Sequence, residues 1–249
     1  MRRGRRTVLG AGLLSLAVAA VAFTGLAFTG LAFTGLLRSV PDPAPQDRAL
    51  PPLAIPAAPG APLRIVALGT SLTAYYDWPD RLSTALGACL ARPVEVSVVA
   101  KGGMGSAWGL EHVASVAAMA PDIVLVEFAV NDADLRLMTP LSASTQTHRQ
   151  IVAELRAARP GARIVLMTMS PARGLRGLLR PRLARHYASY RPLAADLDTG
   201  LVDLYPRWLA RPDPAAGMGD GVHPDREVAA GVILPVLVPY LATLAGGCA

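Results

Sequence analysis

Cysteine is scarce in this chain of 249 residues, and charged and aromatic side chains are few. Two cysteines cannot build a disulfide-rich scaffold or a zinc site of four thiolates. Charged residues make up only 17% of the sequence and hydrophobic residues 52%, which excludes a wholly disordered chain. The first 38 residues hold five of the 24 basic side chains and none of the 18 acidic ones. The remainder is nearly neutral, so we expect no nucleic-acid partner.

Residues 1–38 are predicted to be an export signal or a membrane anchor. Residues 8–37 carry no charge and follow four arginines, so the N-terminus is expected to stay in the cytoplasm while the rest is exported. As a helix, this segment would be about 45 Å long, more than the ~30 Å hydrocarbon core of a bilayer. Arg5-Arg6-Thr7-Val8-Leu9 resembles a twin-arginine export signal. No cleavage site is obvious, which leaves both a cleaved signal and a retained anchor open. Either one predicts a periplasmic or other extracytoplasmic location.

Residues 39–62 are rich in proline and alanine. Such a composition favours extended, semi-rigid backbone and is not expected to pack into a core. We therefore interpret this stretch as a linker between the membrane and a folded domain.

From residue 63 to residue 249, short apolar runs alternate with helical stretches. The predicted strands are 63–68, 94–99, 123–128, 164–169 and 201–204, and the predicted helices are 78–91, 110–120, 142–159, 181–197 and 225–244. This alternation predicts an α/β domain, with a parallel sheet covered by helices on both faces. Ligands of such sheets bind in a crevice beyond the carboxyl ends of the strands.

Polar and glycine-rich motifs follow three of these predicted strands, and a fourth lies near the C-terminus. They are Gly69-Thr70-Ser71, Gly102-Gly103-Met104-Gly105, Asn131-Asp132 and Asp220-Gly221-Val222-His223. Each alone is typical of a turn, a helix cap or a surface loop. Together they are expected to meet at the crevice. The spacing of the glycines does not fit a dinucleotide-binding fingerprint, and no Gly-x-Ser-x-Gly elbow surrounds Ser71.

These motifs resemble those of the SGNH hydrolases, also called the GDSL esterase/lipase family, from about Leu63 to the end of the chain. The resemblance implies a three-layer α/β/α fold with a flavodoxin-like, five-stranded parallel sheet, and an ester hydrolase that needs no cofactor and no metal. It implies a triad of Ser71, Asp220 and His223. Thr70, Ala100 and Ala129 stand where the family usually has aspartate, asparagine and glycine.

The residue types suit the same chemistry. His223 would take the proton of the Ser71 hydroxyl, and Asp220 would orient the imidazole. The backbone N–H groups of Ser71 and Gly105 and the side-chain amide of Asn131 would form an oxyanion hole. The lack of a side chain at Gly105 would leave room for the acyl group.

Two pairs of residues are candidates for substrate contacts. Tyr75 and Tyr76 follow the serine closely, although packing of the first helix onto the sheet would explain them equally well. Arg173 and Arg176 follow the fourth predicted strand and would attract an anionic substrate, or else belong to a solvated helix face. The expected substrate is an ester, with an acylated polysaccharide and a lipid both open, and an uncleaved N-terminal segment would make the membrane a further partner.

A disulfide between Cys89 and Cys248 is a further expectation. In a flavodoxin-like strand order, the first and last helices lie side by side, so both cysteines come to the edge of the sheet opposite the crevice. An exported protein meets an oxidising compartment. The alternative is a buried Cys89 beside a frayed C-terminus.

The sequence therefore predicts an exported serine esterase that hydrolyses carboxylic esters, such as O-acetyl groups on a glycan or short-chain acyl esters. Two alternatives remain open. One is a cell-envelope polysaccharide O-acetyltransferase with the same triad, and the other is a catalytically silent binding module.

Overall fold

The computed structural model of the protein describes residues 44–53 and 61–248, so the predicted signal or anchor at 1–38 lies outside the described residues. Five strands form one sheet in the order β2-β1-β3-β4-β5, and each neighbouring pair is parallel. They are β1 Leu63–Gly69, β2 Val94–Ala100, β3 Ile123–Glu127, β4 Arg163–Thr168 and β5 Gly200–Asp203. The inner strands are almost wholly buried, as their continuous apolar runs predict. The prediction of an α/β fold with a flavodoxin-like sheet is confirmed.

Ten α-helices are found among the described residues, and several are a single turn. They are α1 Ser71–Ala74, α2 Trp78–Leu90, α3 Ser106–Glu111, α4 Val113–Ala118, α5 Ala129–Asp132, α6 Leu141–Ala158, α7 Gly174–Leu178, α8 Leu183–Asp196, α9 Leu204–Leu209 and α10 Arg226–Leu244. A 3₁₀ turn at Leu135–Leu137 follows α5.

The helices cover both faces of the sheet. Helices α2 and α10 pack side by side, whereas α6 packs against α3, α4 and α8. From β1 to β2 the chain moves toward one edge of the sheet, and from β3 to β5 it moves toward the other edge. Because such connections are right-handed, the helix after β1 lies on one face of the sheet and the helices after β3 and β4 lie on the opposite face. This reversal between β1 and β3 opens a crevice at the carboxyl edge of the sheet.

The structure replaces the predicted helix 110–120 by two short helices, α3 and α4. The chain breaks between them at His112, whose ring stacks on Trp108 with the ring centroids 3.8 Å apart. The His112 Nδ1 atom also lies 2.8 Å from the Trp108 carbonyl oxygen. Local side-chain contacts therefore divide what the apolar pattern predicts as one helix.

Helix α10 is the one helix, among the described residues, that is long and apolar enough to cross a membrane. Its Ala229, Ile233, Leu237 and Leu241 are buried in the core of the domain. This packing makes α10 a structural helix of the domain, covering one face of the sheet.

The expectation that residues 39–62 pack no core was wrong for the part that the structure describes, residues 44–53. Arg48 forms an antiparallel bridge with Leu201, with backbone hydrogen bonds of 2.9 and 3.0 Å. Leu50 is buried in the core. The physical reason is the open edge of β5, whose unpaired backbone groups accept an extended segment. We call residues 44–53 the strap.

Cys89 and Cys248 form a disulfide that joins the end of α2 to the residues following α10. Their Cα atoms are 4.8 Å apart. Helix α2 begins at the carboxyl edge of the sheet and runs back to the amino edge, so the disulfide lies away from the crevice.

Candidate active site

Ser71 lies directly beyond the carboxyl end of β1, in the first turn of α1. Thr70 is the N-cap, and its side-chain oxygen accepts a hydrogen bond from the backbone N–H of Leu72 at 3.2 Å. The indole N–H of Trp78 donates to the Leu72 carbonyl at 2.9 Å, which fastens α1 to the start of α2. We call residues 69–73 the serine loop.

A buried carboxyl group lies beneath the serine loop. Glu127, the last residue of β3, accepts hydrogen bonds from the backbone N–H of Thr70 at 2.6 Å and from the hydroxyl of Thr73 at 2.8 Å. The Thr70 hydroxyl lies 3.0 Å from both carboxyl oxygens. Burial raises the pKa of Glu127 to about 7, although these hydrogen bonds act to lower it. Glu127 therefore binds the residues on both sides of Ser71. Sequence reasoning missed it, although one charged residue in an apolar strand was a visible signal.

His223 and Asp220 reach Ser71 from a loop before α10. The His223 Nε2 atom lies 2.8 Å from the Ser71 Oγ atom, and its Nδ1 atom lies 2.6 Å from Asp220 Oδ2. Because the carboxylate accepts, Nδ1 carries the proton and Nε2 accepts the serine hydroxyl hydrogen. Partial burial acts to raise the pKa of Asp220, but hydrogen bonds from His223 and from the backbone N–H of Val222 outweigh it and lower this pKa to about 2. Asp220 is thus an anion at neutral pH.

Gly221 allows this loop to turn between the two side chains. Its φ angle is +84°, a conformation that other residues rarely adopt. The turn lets Asp220 Oδ1 accept the backbone N–H groups of Val222 and His223 at 2.9 and 2.8 Å. A Cβ atom at this position would collide with the carbonyl oxygen of Arg173.

Asn131 lies in α5 beyond the carboxyl end of β3 and is nearly buried. Its Nδ2 atom donates to the Met104 carbonyl at 2.9 Å, which brings it to the glycine-rich loop after β2. Its Oδ1 atom accepts from Arg180 Nη2 at 3.3 Å, and Arg180 Nε donates to the Val130 carbonyl at 2.8 Å. The amide is therefore held with its nitrogen toward the glycine-rich loop. Sequence analysis did not predict this role of Arg180, because nothing in the sequence separates it from its neighbouring arginines.

Gly105 is the N-cap of α3, and the structure shows a further reason for its lack of a side chain. A Cβ atom here would collide with Asp132 Oδ1, which accepts the backbone N–H of Ser106 at 2.8 Å. The glycine therefore permits close packing of its loop on Asp132. The other carboxylate oxygen of Asp132 accepts the Ser144 hydroxyl at 2.6 Å.

A hydrogen-bond network supports α5 from below. The Tyr190 hydroxyl accepts the backbone N–H groups of Phe128 and Ala129 at 3.3 and 3.2 Å and donates to His148 Nε2 at 2.7 Å. His148 Nδ1 donates to the Ser144 carbonyl at 2.7 Å. Burial lowers the pKa of His148, which keeps the ring neutral in this arrangement.

Tyr75 and Tyr76 line an open cleft of about 490 Å³ together with His223. The Tyr75 ring is exposed and its centroid lies 6.4 Å from that of His223. The Tyr76 hydroxyl donates to the Pro224 carbonyl at 2.6 Å, and burial raises its pKa. Tyr75 is thus placed to contact a bound ligand, whereas Tyr76 supports the residue after His223.

Arg173 and Arg176 both lie against the loop that carries Asp220. The backbone N–H of Arg173 donates to the Gly221 carbonyl at 2.6 Å. The Arg176 guanidinium approaches Asp220 Oδ2 at 3.8 Å and is partly exposed. No group of three or more metal-binding side chains was found within the described parts of the chain.

These contacts bring a hydroxyl, an imidazole and a carboxylate into one hydrogen-bonded line at the crevice. The model of the GDSL-like lipase/acylhydrolase family matches residues 67–230, which is more than half of the chain. This protein belongs to that family. The matched range of this GDSL-like acylhydrolase contains Ser71, Gly105, Asn131, Asp220 and His223, and the chain is a carboxylic ester hydrolase.

Solved structures of other proteins share the fold of this GDSL-like acylhydrolase. A lipase/acylhydrolase from Enterococcus faecalis has 22% identity and a TM-score of 0.62, with 70% of this chain and 95% of that chain covered. A carbohydrate acetylesterase family member from Sinorhizobium meliloti has 21% identity and a TM-score of 0.60, with 74% and 99% covered. Axe2, an acetylxylan esterase from Geobacillus stearothermophilus, has 19% identity and a TM-score of 0.60, with 72% and 93% covered. No match was found among curated proteins.

Proposed function

We propose that this protein is an exported serine esterase that cleaves carboxylic esters through Ser71, His223 and Asp220. The observation that carries the proposal is the 2.8 Å contact between Ser71 Oγ and His223 Nε2, with Asp220 hydrogen-bonded to the other ring nitrogen. That distance is within the 2.6–3.2 Å or so that proton transfer needs.

The reaction follows from these positions. His223 Nε2 takes the proton as Ser71 Oγ attacks the ester carbonyl, and the Asp220 carboxylate stabilises the imidazolium. The negative oxygen of the tetrahedral intermediate accepts hydrogen bonds from Asn131 Nδ2 and the backbone N–H groups of Ser71 and Gly105. His223 then protonates the departing alkoxide, which leaves an acyl group on Ser71. A water molecule, deprotonated by His223, attacks this acyl-enzyme and releases the carboxylic acid.

Export is the second part of the proposal. The uncharged segment 8–37, which follows four arginines, supports it. The disulfide between Cys89 and Cys248 also supports it, since disulfides persist in oxidising compartments. A thiol-blocking experiment tests export. Free thiols are blocked in intact cells before lysis, and the thiols that appear after reduction are then counted. We expect both cysteines to appear only after reduction.

The substrate proposal is a carboxylic ester with an O-acetyl or other short acyl group. Two structural neighbours, one named a carbohydrate acetylesterase family member and the other an acetylxylan esterase, support the acetyl class. Hydrolysis rates on a panel of aryl esters, from acetate to decanoate, measure the preference for acyl length. The rate on acetylated xylan, compared with that on the aryl acetate, measures the preference for the alcohol portion.

Replacing Ser71 by alanine tests the chemistry. We expect Ser71→Ala to lower the hydrolysis rate of 4-nitrophenyl acetate on the order of 10⁴–10⁶-fold, since nothing else in the site supplies the acyl acceptor. Ser142→Ala, at an exposed serine in α6, is the matched control and should retain the full rate. Equal rates for Ser71→Ala and the unmodified protein would refute the proposal.

A further inference from the structure

Exposed apolar side chains collect on one side of the crevice. Six of the eight exposed large hydrophobic residues of the described chain lie in segments beside the crevice, and one of them, Tyr75, is on the His223 side. The other five, which we call the apolar rim, are Leu135, Leu137, Met138, Leu175 and Leu178. Their exposed fractions run from 41% to 83%. Large apolar side chains grouped in this way on a surface are typical of an interaction site.

Two neighbouring segments form the apolar rim. The backbone N–H of Leu135 donates to the Leu179 carbonyl at 2.8 Å, which joins the 3₁₀ turn to the end of α7. Arg180 bridges the same segments through its ion pair with Asp134 at 2.7 Å and its contact with Asn131. The apolar rim therefore lies directly beside the oxyanion side of the crevice.

The charge around the apolar rim is positive. Residues 173–185, which include α7 and the start of α8, contain five arginines and no acidic residue. Arg182 and Arg185 are exposed at the start of α8, and no ion pair joins either of them to a described residue. Of the nearest acids, Asp132 and Asp134 are buried, and the Asp220 carboxylate faces the Arg176 guanidinium at 3.8 Å. Exposed acids lie on the other side, where Glu227 pairs with Arg81.

Apolar side chains flanked by arginines match the interface of an anionic lipid bilayer. Leucine and methionine side chains enter the boundary between headgroups and acyl chains, and guanidinium groups bind phosphates in pairs of hydrogen bonds. The chain path agrees with this orientation. The strap runs antiparallel to β5, and Gln46 N–H donates to Asp203 Oδ2 at 3.2 Å, so the strap starts at the carboxyl edge of the sheet. The strap therefore enters the domain at the same edge of the sheet as the crevice.

We propose that the apolar rim, together with Arg182 and Arg185, docks onto an anionic lipid bilayer and presents the crevice to esters at that surface. The substrate part rests on the proposed esterase function, whereas the docking part does not. Docking places the crevice near the depth at which acyl ester bonds of lipids lie.

Fluorescence quenching in vesicles tests the docking. Because Cys89 and Cys248 are paired, a cysteine introduced by Leu178→Cys accepts a single bimane label in the full-length chain. The matched control is Ala158→Cys, which is exposed at the end of α6, at the amino edge of the sheet. Both are reconstituted in phosphatidylcholine vesicles with or without phosphatidylglycerol, which carry a nitroxide quencher on the lipid chains.

We expect strong quenching at position 178 and little at position 158 when phosphatidylglycerol is present. The double variant Arg182→Gln/Arg185→Gln should lower the ratio of docked to undocked rim by roughly tenfold or more, because each arginine near an anionic surface contributes about a fivefold factor. Equal quenching at the two positions overturns the proposal. Quenching at position 178 that is the same with and without phosphatidylglycerol also overturns it. A bimane response to soluble alginate but not to vesicles overturns it in favour of an anionic polysaccharide.

The same samples separate this proposal from the esterase function. Quenching is measured in the Ser71→Ala background as well, where docking should be unchanged. If docking fails while Ser71-dependent hydrolysis of 4-nitrophenyl acetate persists, only the docking inference is lost. If hydrolysis proves independent of Ser71 while docking persists, the esterase proposal is lost instead.

Discussion

At the scale of single residues, Glu127 supplies an anchor for the serine loop. Thr70 stands where related sequences usually have an aspartate, and both its backbone N–H and its hydroxyl meet the Glu127 carboxyl group. The hydroxyl of Thr73 meets it as well. A buried group between these two threonines therefore holds Ser71 in position without touching the reacting atoms.

Glu127 should make stability depend on pH. Its folded pKa of about 7 exceeds the unfolded value of about 4.3, so the folded state binds more protons between these values. The free energy of unfolding should therefore fall as pH rises from about 4.5 to 7, by an amount on the order of 3 kcal/mol. Glu127→Gln, which mimics the protonated carboxyl group, should remove this decrease. Urea unfolding across this pH range measures it, and an unchanged pH profile in Glu127→Gln would contradict the assignment.

Arg180 should act on catalysis through Asn131. Arg180→Lys keeps a positive charge opposite Asp134 but loses the fork that bonds the Val130 carbonyl and Asn131 Oδ1. We expect kcat to fall by at most the roughly 10²–10³-fold cost of losing one oxyanion donor, with KM little changed.

A double-mutant cycle distinguishes this role from a structural one. In an Asn131→Ala background, Arg180→Lys should cost no further kcat, because the amide it orients is gone. Additive losses in kcat would show that Arg180 acts elsewhere.

The residues of the candidate triad were predicted from the combination of their motifs, which resembles that of a known family, and from their positions after a strand or in a loop of glycine and proline. Glu127 and Arg180 were not predicted, since their importance comes from a partner 57 or 49 positions away along the chain. The single charge in the apolar strand β3 marks Glu127 as unusual, but no local pattern identifies the distant partner of either residue. The same limit applies to Gly105, whose neighbour Asp132 becomes visible only in the folded structure.

At the scale of elements, the ends of α2 and α10 are joined by the disulfide at the edge opposite the crevice. Cys89 and Cys248 are 159 positions apart, so the bond closes nearly the whole domain into a loop. In the chain-entropy account, such a loop restricts the unfolded chain strongly.

Removing this bond should lower stability and leave catalysis unchanged. We expect Cys89→Ser/Cys248→Ser to reduce the free energy of unfolding by up to about 4 kcal/mol, with kcat at the wild-type level because the site lies at the other edge. Guanidinium unfolding of the variant, compared with wild type before and after reduction, measures this. Reduction should destabilise only the wild type, and equal stability of all samples would contradict the expectation.

The strand pattern was easier to predict than the helix pattern. Each buried strand is a continuous apolar run, whereas the helix predicted at 110–120 is divided by the stacking of His112 on Trp108. The strap was misinterpreted for a similar reason. The proline content of the strap correctly predicts extended backbone. It does not indicate that this backbone pairs with the open edge of β5.

At the scale of the whole molecule, the arrangement of the sheet decides where chemistry is possible. Parallel strands and right-handed connections bring the ends of β1 and β3 together, and this rule allowed the crevice to be located from the order of elements alone. The uneven surface around the crevice was beyond the sequence. Exposure of Leu175 and Leu178 depends on how the short helix α7 is seated.

Covalent trapping tests the central claim most directly. A fluorophosphonate ester reacts with a serine whose hydroxyl is deprotonated by a neighbouring base, and mass spectrometry of the digested protein locates the adduct. The account predicts one adduct, on Ser71, with labelling slowed strongly in His223→Ala and abolished in Ser71→Ala. An adduct on another serine, or labelling of Ser71 that proceeds at the wild-type rate without His223, would contradict it.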